Sequence, residues 1–225
     1  MPHFELRLNE DGSVAEILRD GELYNESVSL EPANQIVSTY FKIGSANLKL
    51  MVGQEDDELR RAAGLQSFLM TLTGVEAFTN VFFQRYALEH KNEDLLKRVS
   101  EKGALLKKID DCLGFAFGCS LPNQAELLER VKKLYKLRNQ IVHPRWDPAS
   151  MCLIGEIPIS IEGMSQNFQN TFKDAAFCCD AFWQCVEFVA EVGKAAGNST
   201  IEGHCFHWTG VYGLQEEKLA ELLGR

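Results

Sequence analysis

Three side chains within six residues carry the groups needed to move a proton and hold a phosphate: the Arg138 guanidinium, the Asn139 amide and the His143 imidazole. Imidazole titrates near neutral pH, so it can take up and return a proton, while a fixed guanidinium binds phosphate oxygens and the charge developing on them. Groups of these types can together cleave RNA without a metal. A base removes the 2′-hydroxyl proton, that oxygen attacks the adjacent phosphorus, and an acid protonates the departing 5′-oxygen. Asn139 and His143 are four residues apart and share a helix face, with Tyr135 one turn earlier. Between Asn123 and Arg145 six Lys or Arg residues stand against two Glu, in a chain whose net charge is -9. That local excess of positive charge surrounds the motif. Lys136 and Arg145, with Tyr135, are the candidates for contact with an RNA backbone; the remainder of the basic run 130–136 reads as a solvated face.

These residues belong to a helix carrying Leu127, Val131, Leu134, Tyr135, Ile141 and Val142, which Asn123 is placed to cap and which ends at His143, because the residue before Pro144 is pushed toward extended backbone. At about 100° per residue, Leu127, Val131, Leu134, Arg138 and Ile141 form one row, so Arg138 takes a core-facing position and needs a carboxylate or an anionic ligand. Glu76 is the candidate partner, a carboxylate in the row Leu72, Glu76, Thr79/Asn80, Phe83 of an earlier helix. Arg138 and His143 are about 140° apart around the wheel and converge poorly in one regular helix. Either the helix unwinds before Pro144, or two copies of the chain meet with their motifs opposed across a two-fold axis.

Around this helix the pattern is mainly α, a bundle of four to five long helices with a small N-terminal β-meander. His3 to Leu8, Val14 to Leu18 and Glu22 to Leu30 read as strands about Asp11-Gly12 and Asp20-Gly21 turns. Pro32 opens a helix with Ile36, Tyr40, Ile43 and Asn47 to Met51 at helical spacing. From about Asp56 to His90, Leu65, Phe68, Leu69, Leu72, Val75, Thr79, Phe82, Phe83 and Tyr86 form the stripe of one long helix. Asn92 caps another running to about Leu113, followed by a Gly114–Gly118 break. Residues 144–166 read as a long connection with a short strand or hairpin at Cys152 to Ile161. A further long helix carries Phe168, Phe172, Ala175, Cys179, Phe182, Val186 and Val189. The tail reads as an irregular aromatic piece, His204 to Tyr212, and a short helix near Gln215 to Leu223. The domain division expected is 1–50 as a β-rich/α extension, 51–200 as the bundle and 201–225 as a C-terminal extension.

With 225 residues, 45% hydrophobic and 24% charged, the chain has the composition of a soluble globular protein. It contains no apolar run near the roughly 18 residues that span a bilayer. The start Met-Pro-His-Phe-Glu lacks a secretory signal, so the seven cysteines are expected as free thiols in a reducing cytoplasm. Cys178, Cys179 and Cys185 lack metal-ligand spacing and read as small core residues, and His204-Cys-Phe-His207 reads as structural aromatics. No metal and no cofactor are expected.

The spacing Arg138, polar Asn139, three residues, His143 resembles the Arg-polar-x-x-x-His motif of the HEPN superfamily, the higher eukaryotes and prokaryotes nucleotide-binding domains. Arg138 and His143 match its defining pair and Asn139 its common polar residue. The segment Gly74 to Asn80 is similar to the acidic early-helix position of many members, which implies that Glu76 orients Arg138. The resemblance covers about residues 55–196 and implies an α-helical bundle, a site at a homodimer interface and metal-independent ribonuclease activity. Members include toxins of toxin–antitoxin systems, abortive-infection proteins and RNA-processing enzymes, so RNA, a second copy of the chain and an antitoxin protein are the implied partners. The β-rich first 50 residues and the tail lie outside the family's minimal bundle, and the overall acidity is awkward for RNA capture.

Two other expectations stand beside this one. Asn139 and His143 can serve simply as the end of a helix, with Arg138 extended to solvent and a cationic His143 favourable at the negative end of the helix dipole; Glu76 can then pair with any Lys. Some HEPN members are non-catalytic, so a helical module that binds a protein partner or a nucleotide is the alternative to a ribonuclease.

Overall fold

The computed structural model describes residues 4–9, 14–25, 33–118, 124–143, 170–198 and 200–211. The chain divides into two compact units, Met1–Pro32 and Ala33–Arg225. The first is a three-stranded antiparallel sheet in the order β1 (Phe4–Leu8), β2 (Val14–Arg19), β3 (Glu22–Leu23). Asp20 and Gly21, at φ +54° and +88°, turn the chain between Arg19 and its partner Glu22. Both positions need left-handed backbone in this tight hairpin, which Asp tolerates and Gly adopts freely. The register shifts between Arg7 and Leu8, and Arg7 faces Glu16 across the ladder, their side chains 3.2 Å apart.

The second unit contains seven helices among the described residues: α1 (Ala33–Val52), α2 (Asp57–Glu89), α3 (Glu93–Ser100), α4 (Leu105–Phe117), α5 (Gln124–Val142), α6 (Ala175–Ala195) and α7 (Ile201–Thr209). The protein is mainly helical with a small N-terminal sheet, as its patterning predicts. The division between units falls before α1, so this helix belongs to the bundle and not to the strand-rich extension expected over 1–50. Its inward residues are Val37, Phe41, Leu48 and Met51. The first part of the expected row is displaced by one position, from Ile36 and Tyr40 to Val37 and Phe41, and Ile36 is half exposed, while Leu48 and Met51 fall within the expected stretch Asn47 to Met51.

α2 is the spine, 33 residues capped by Asp56, whose carboxylate accepts hydrogen bonds from the Glu58 and Leu59 amides. The cap and the acidic first turn of Asp57 and Glu58 satisfy and complement the positive end of the helix. Phe68, Leu72, Val75, Phe78, Phe82 and Phe83 are buried, and Gly64, Ser67, Thr71 and Gly74 widen the same buried face to about half the circumference of the helix. The helix is therefore covered from several directions. A Cβ at Gly74 would stand 2.8 Å from the Phe41 ring, and one at Gly64 would stand 2.2 Å from the Phe172 carbonyl oxygen. Glycine permits these close approaches.

Asn92 caps α3 through a bond from the Leu95 amide, but the helix expected to continue to Leu113 breaks after Ser100 and restarts at Leu105. In one continuous helix Arg98 and Asp111 would lie about 20 Å apart along the axis. Here the chain folds back and the Arg98 Nε donates to Asp111 Oδ2 at 2.7 Å, with a second link to Glu101 at 3.0 Å. The reversal buries Leu95 and Val99 in the same core as Ile109, Cys112 and Leu113. Gly114 stays helical, and α4 stops at Gly118, whose φ of +60° only glycine adopts readily. α6 starts later than its apolar row suggests, because Asp174 accepts from the Ala176 amide and caps it there. The stretch from His204 is not irregular: α7 is a helix whose His204, Cys205, Trp208 and Thr209 are buried. Asn123, the connection 144–166 with its strand at Cys152 to Ile161, Phe168, the Asp11-Gly12 turn and the helix expected near Gln215 lie outside the described residues. Among those that are described, no helix is long and apolar enough to cross a membrane.

Aromatic rings join α2, α6 and α7. Phe78 lies 5.0 Å from Phe82, 5.2 Å from Trp208, 6.1 Å from Phe188 and 6.2 Å from His204, centroid to centroid. Cys112, Cys178, Cys179, Cys185 and Cys205 are buried and form no disulfide, and burial pushes the Cys112 and Cys205 thiols up to about 11 and Cys178 to about 12. Cys112, Cys178 and Cys205 are therefore protonated packing groups at neutral pH. His204 is fully engaged: its Nε2 donates to the Val189 carbonyl at 3.1 Å, which leaves Nδ1 to accept from the Asn198 amide at 3.1 Å.

Burial holds the His204 imidazole neutral, lowering its pKa from 6.5 to about 4 against the opposing pull of the Val189 carbonyl. The unfolded chain takes up this proton below pH 6.5 and the folded chain does not, so the contribution is complete at pH 7 and is lost as pH falls toward 4. Denaturant unfolding at pH 7 and pH 4.5 should show a loss of about 2–3 kcal/mol from this group, and the loss should be smaller by that amount in His204→Gln.

Candidate functional site

α5 presents the motif, and two contacts fix where it sits. Leu127, Val131, Leu134 and Tyr135 are buried in the common core. The Tyr135 hydroxyl donates to the Leu72 carbonyl of α2 at 2.6 Å, and the Arg130 Nη1 donates to Glu187 of α6 at 2.8 Å. One bond holds α5 against α2, the other against α6. Tyr135 is thus an anchor and not the RNA contact expected from its place one turn before Asn139: only 2% of it is exposed. Burial, with Cys185 and Glu76 nearby, raises its phenol well above the usual value of 10 and keeps it a hydrogen-bond donor. The apolar row around it was visible in the sequence, but its partner is a backbone carbonyl and carries no residue signature.

The same row carries Arg138, one turn beyond Leu134, to the place where the core opens to solvent. The side chain is 25% exposed, and its Nη2 lies 3.9 Å from Glu76 Oε2 on α2, while Nη1 donates to Asn139 Oδ1 at 3.3 Å. The expected partnership of Arg138 with Glu76 is present as a wide ion pair at the margin of the core. Because Glu76 is 42% exposed, water screens the pair, and its net contribution to stability is under about 1 kcal/mol. The guanidinium is oriented from two sides without being sealed off, the state needed to accept a phosphate.

His143 is exposed, and its amide donates to the Asn139 carbonyl at 2.9 Å, carrying the helical ladder one residue past Val142. No hydrogen bond or ion pair joins it to Arg138 among the described residues. Lys133 and Lys136 are exposed on the same helix, whereas Lys132 is held by Glu129 at 2.6 Å, which lowers the Glu129 carboxyl. The structure gathers Glu76, Arg138 and Asn139 at one spot, sets Lys136 and His143 on the solvent side of α5, and withdraws Tyr135 into the core. Arg145 lies outside the described residues.

Tyr135→Phe retains the ring and removes one interhelical hydrogen bond, so urea unfolding should register a loss of about 1 kcal/mol. Glu76→Gln should cost less than that, since it loosens only a screened pair. With the geometry of the site in place, comparison with known proteins adds no relative: no protein-family model, curated protein or solved structure matches the chain.

Proposed function

We propose that the chain is a metal-independent endoribonuclease of the HEPN type, with Arg138 and His143 as its catalytic pair. One observation carries the reading: Arg138 is oriented by Glu76 and Asn139 at the solvent margin of the core, on the helix that ends in an exposed His143. Arg138 holds the phosphate and stabilises the charge on it as the 2′-oxygen attacks. His143 removes the 2′-hydroxyl proton. The acid that protonates the 5′-oxygen is the second imidazole supplied when two copies oppose their motifs, so the homodimer is part of the proposal. Lys136 and Arg145 supply backbone contacts. The activity suits a toxin or a stress or anti-phage effector in the cytoplasm, restrained by an antitoxin.

A second reading rests on the same ion pair. Because Glu76 and Asn139 already engage the guanidinium, the motif also fits a non-catalytic module that uses Arg138 for phosphate binding or helix packing. Such a module cleaves no RNA in any preparation. Under the ribonuclease reading His143→Ala lowers cleavage at least 100-fold while shifting Tm by no more than a few degrees, because the imidazole is exposed. EDTA leaves the wild type unchanged. Cleavage by His143→Ala at the wild-type rate overturns the proposal.

A further inference from the structure

A cleft of about 330 Å³ opens between the last turns of α2 and the segment from Ala196 through α7. Its size is at the low end of the roughly 300–1,000 Å³ typical of small-molecule sites, which restricts it to a compact ligand. Phe82, Tyr86 and Trp208 supply an aromatic lining. Phe82 and Trp208 are packed edge to face at 5.8 Å, and Tyr86 stacks on His90 at 3.9 Å, so these rings are held in place rather than free to collapse into the space. His204 forms part of the wall and has both ring nitrogens committed within the protein.

The polar rim is different. The His90 Nδ1 donates to the Tyr86 carbonyl at 2.9 Å, which fixes the ring and leaves Nε2 uncommitted. The Arg85 link to Glu89, 2.6 Å long, runs through Nε and leaves both terminal amino groups for another acceptor. Those two groups are the ones that grip a carboxylate or phosphate in a bidentate fork. His207 sits within the field of Arg85: burial lowers its imidazole, and the Arg85 charge lowers it further. The rim therefore offers the Arg85–Glu89 pair, with the terminal amino groups of Arg85 turned to further acceptors, and the His90 and His207 rings beside a fixed aromatic surface. None of these residues belongs to the Arg138 site.

We infer that this cleft binds a small planar aromatic molecule bearing one anionic group, with the ring against Tyr86 and Trp208 and the anion on Arg85 and His207. The aromatic surface accounts for the planar part, and the two free amino groups of Arg85 account for the charge.

Calorimetric titration of the full chain at pH 7 tests it with four probes: benzoate, phenyl phosphate, benzyl alcohol and inorganic phosphate. Saturable one-to-one binding is expected for benzoate or phenyl phosphate, and whichever binds tighter identifies the anion as carboxylate or phosphate. Benzyl alcohol lacks the charge and inorganic phosphate lacks the ring; each should bind at least tenfold more weakly. Arg85→Gln, on a side chain 63% exposed, should keep the wild-type Tm and weaken the better probe at least tenfold. His143→Ala should bind as the wild type does, so this result stands or falls apart from the ribonuclease reading. The inference is overturned if neither aromatic anion saturates up to millimolar concentration, if benzyl alcohol or inorganic phosphate binds as well, or if Arg85→Gln binds unchanged.

Discussion

The bundle depends on the burial of α2. A helix of 33 residues buried over about half of its circumference cannot rest on a single neighbour, so several helices must pack against it. α1 approaches where Gly74 admits the Phe41 ring, and the segment leading into α6 approaches where Gly64 admits the Phe172 carbonyl. α7 adds Trp208 against Phe78 and Phe82. Loss of close packing along this spine would release α1, α3 and α6 together, because each makes its most extensive contact with α2, whereas α7 rests mainly on α6 and α1.

Both regions of chemical interest are consequences of how that spine emerges from its cover. Near its middle, Glu76 lies one turn from Leu72, whose carbonyl receives the Tyr135 hydroxyl. The bond that docks α5 therefore also brings Arg138 to Glu76. Near its end, Arg85, Tyr86 and His90 pass out of the core beside α7 and form one side of the cleft. A rigid helix can position separate groups without loops, at the cost of leaving each group partly wet. The wetness is what makes the Arg138 pair weak as a stabilising contact and leaves it accessible from solvent.

How much of this could be read in the sequence depended on whether the determining contact was local. The span of α2 from about Asp56, the cap at Asn92 and the end of α5 near His143 are set by neighbouring residues, and the sequence shows them. The meeting of Arg138 and Glu76 was legible because each interrupts an apolar row, which marks two charges needing partners. The reversal between α3 and α4 was not, since it is held by Arg98 reaching Asp111, and a helical period continues across the break. The face of α1 was misplaced by one residue because apolar side chains occur on both sides of that helix, and Phe41 rather than Tyr40 is the one Gly74 accommodates. α7 looked irregular because its glycine, histidines and aromatics are weak helix formers, and packing of His204 and Trp208 overrides that preference. The rim of the second cleft escaped notice because its two halves are more than a hundred residues apart.

The functional account rests on attack by a 2′-hydroxyl with Arg138 and His143 in attendance, and the chemistry of the product ends reports that step most directly. Purified protein incubated with a defined RNA in EDTA should yield fragments ending in a 2′,3′-cyclic phosphate and beginning with a 5′-hydroxyl, resolved by mass spectrometry, and a 2′-deoxy substitution at the cleaved position should block the cut. Fragments carrying 5′-phosphates, cleavage that survives the 2′-deoxy substitution, or RNA left intact would contradict it.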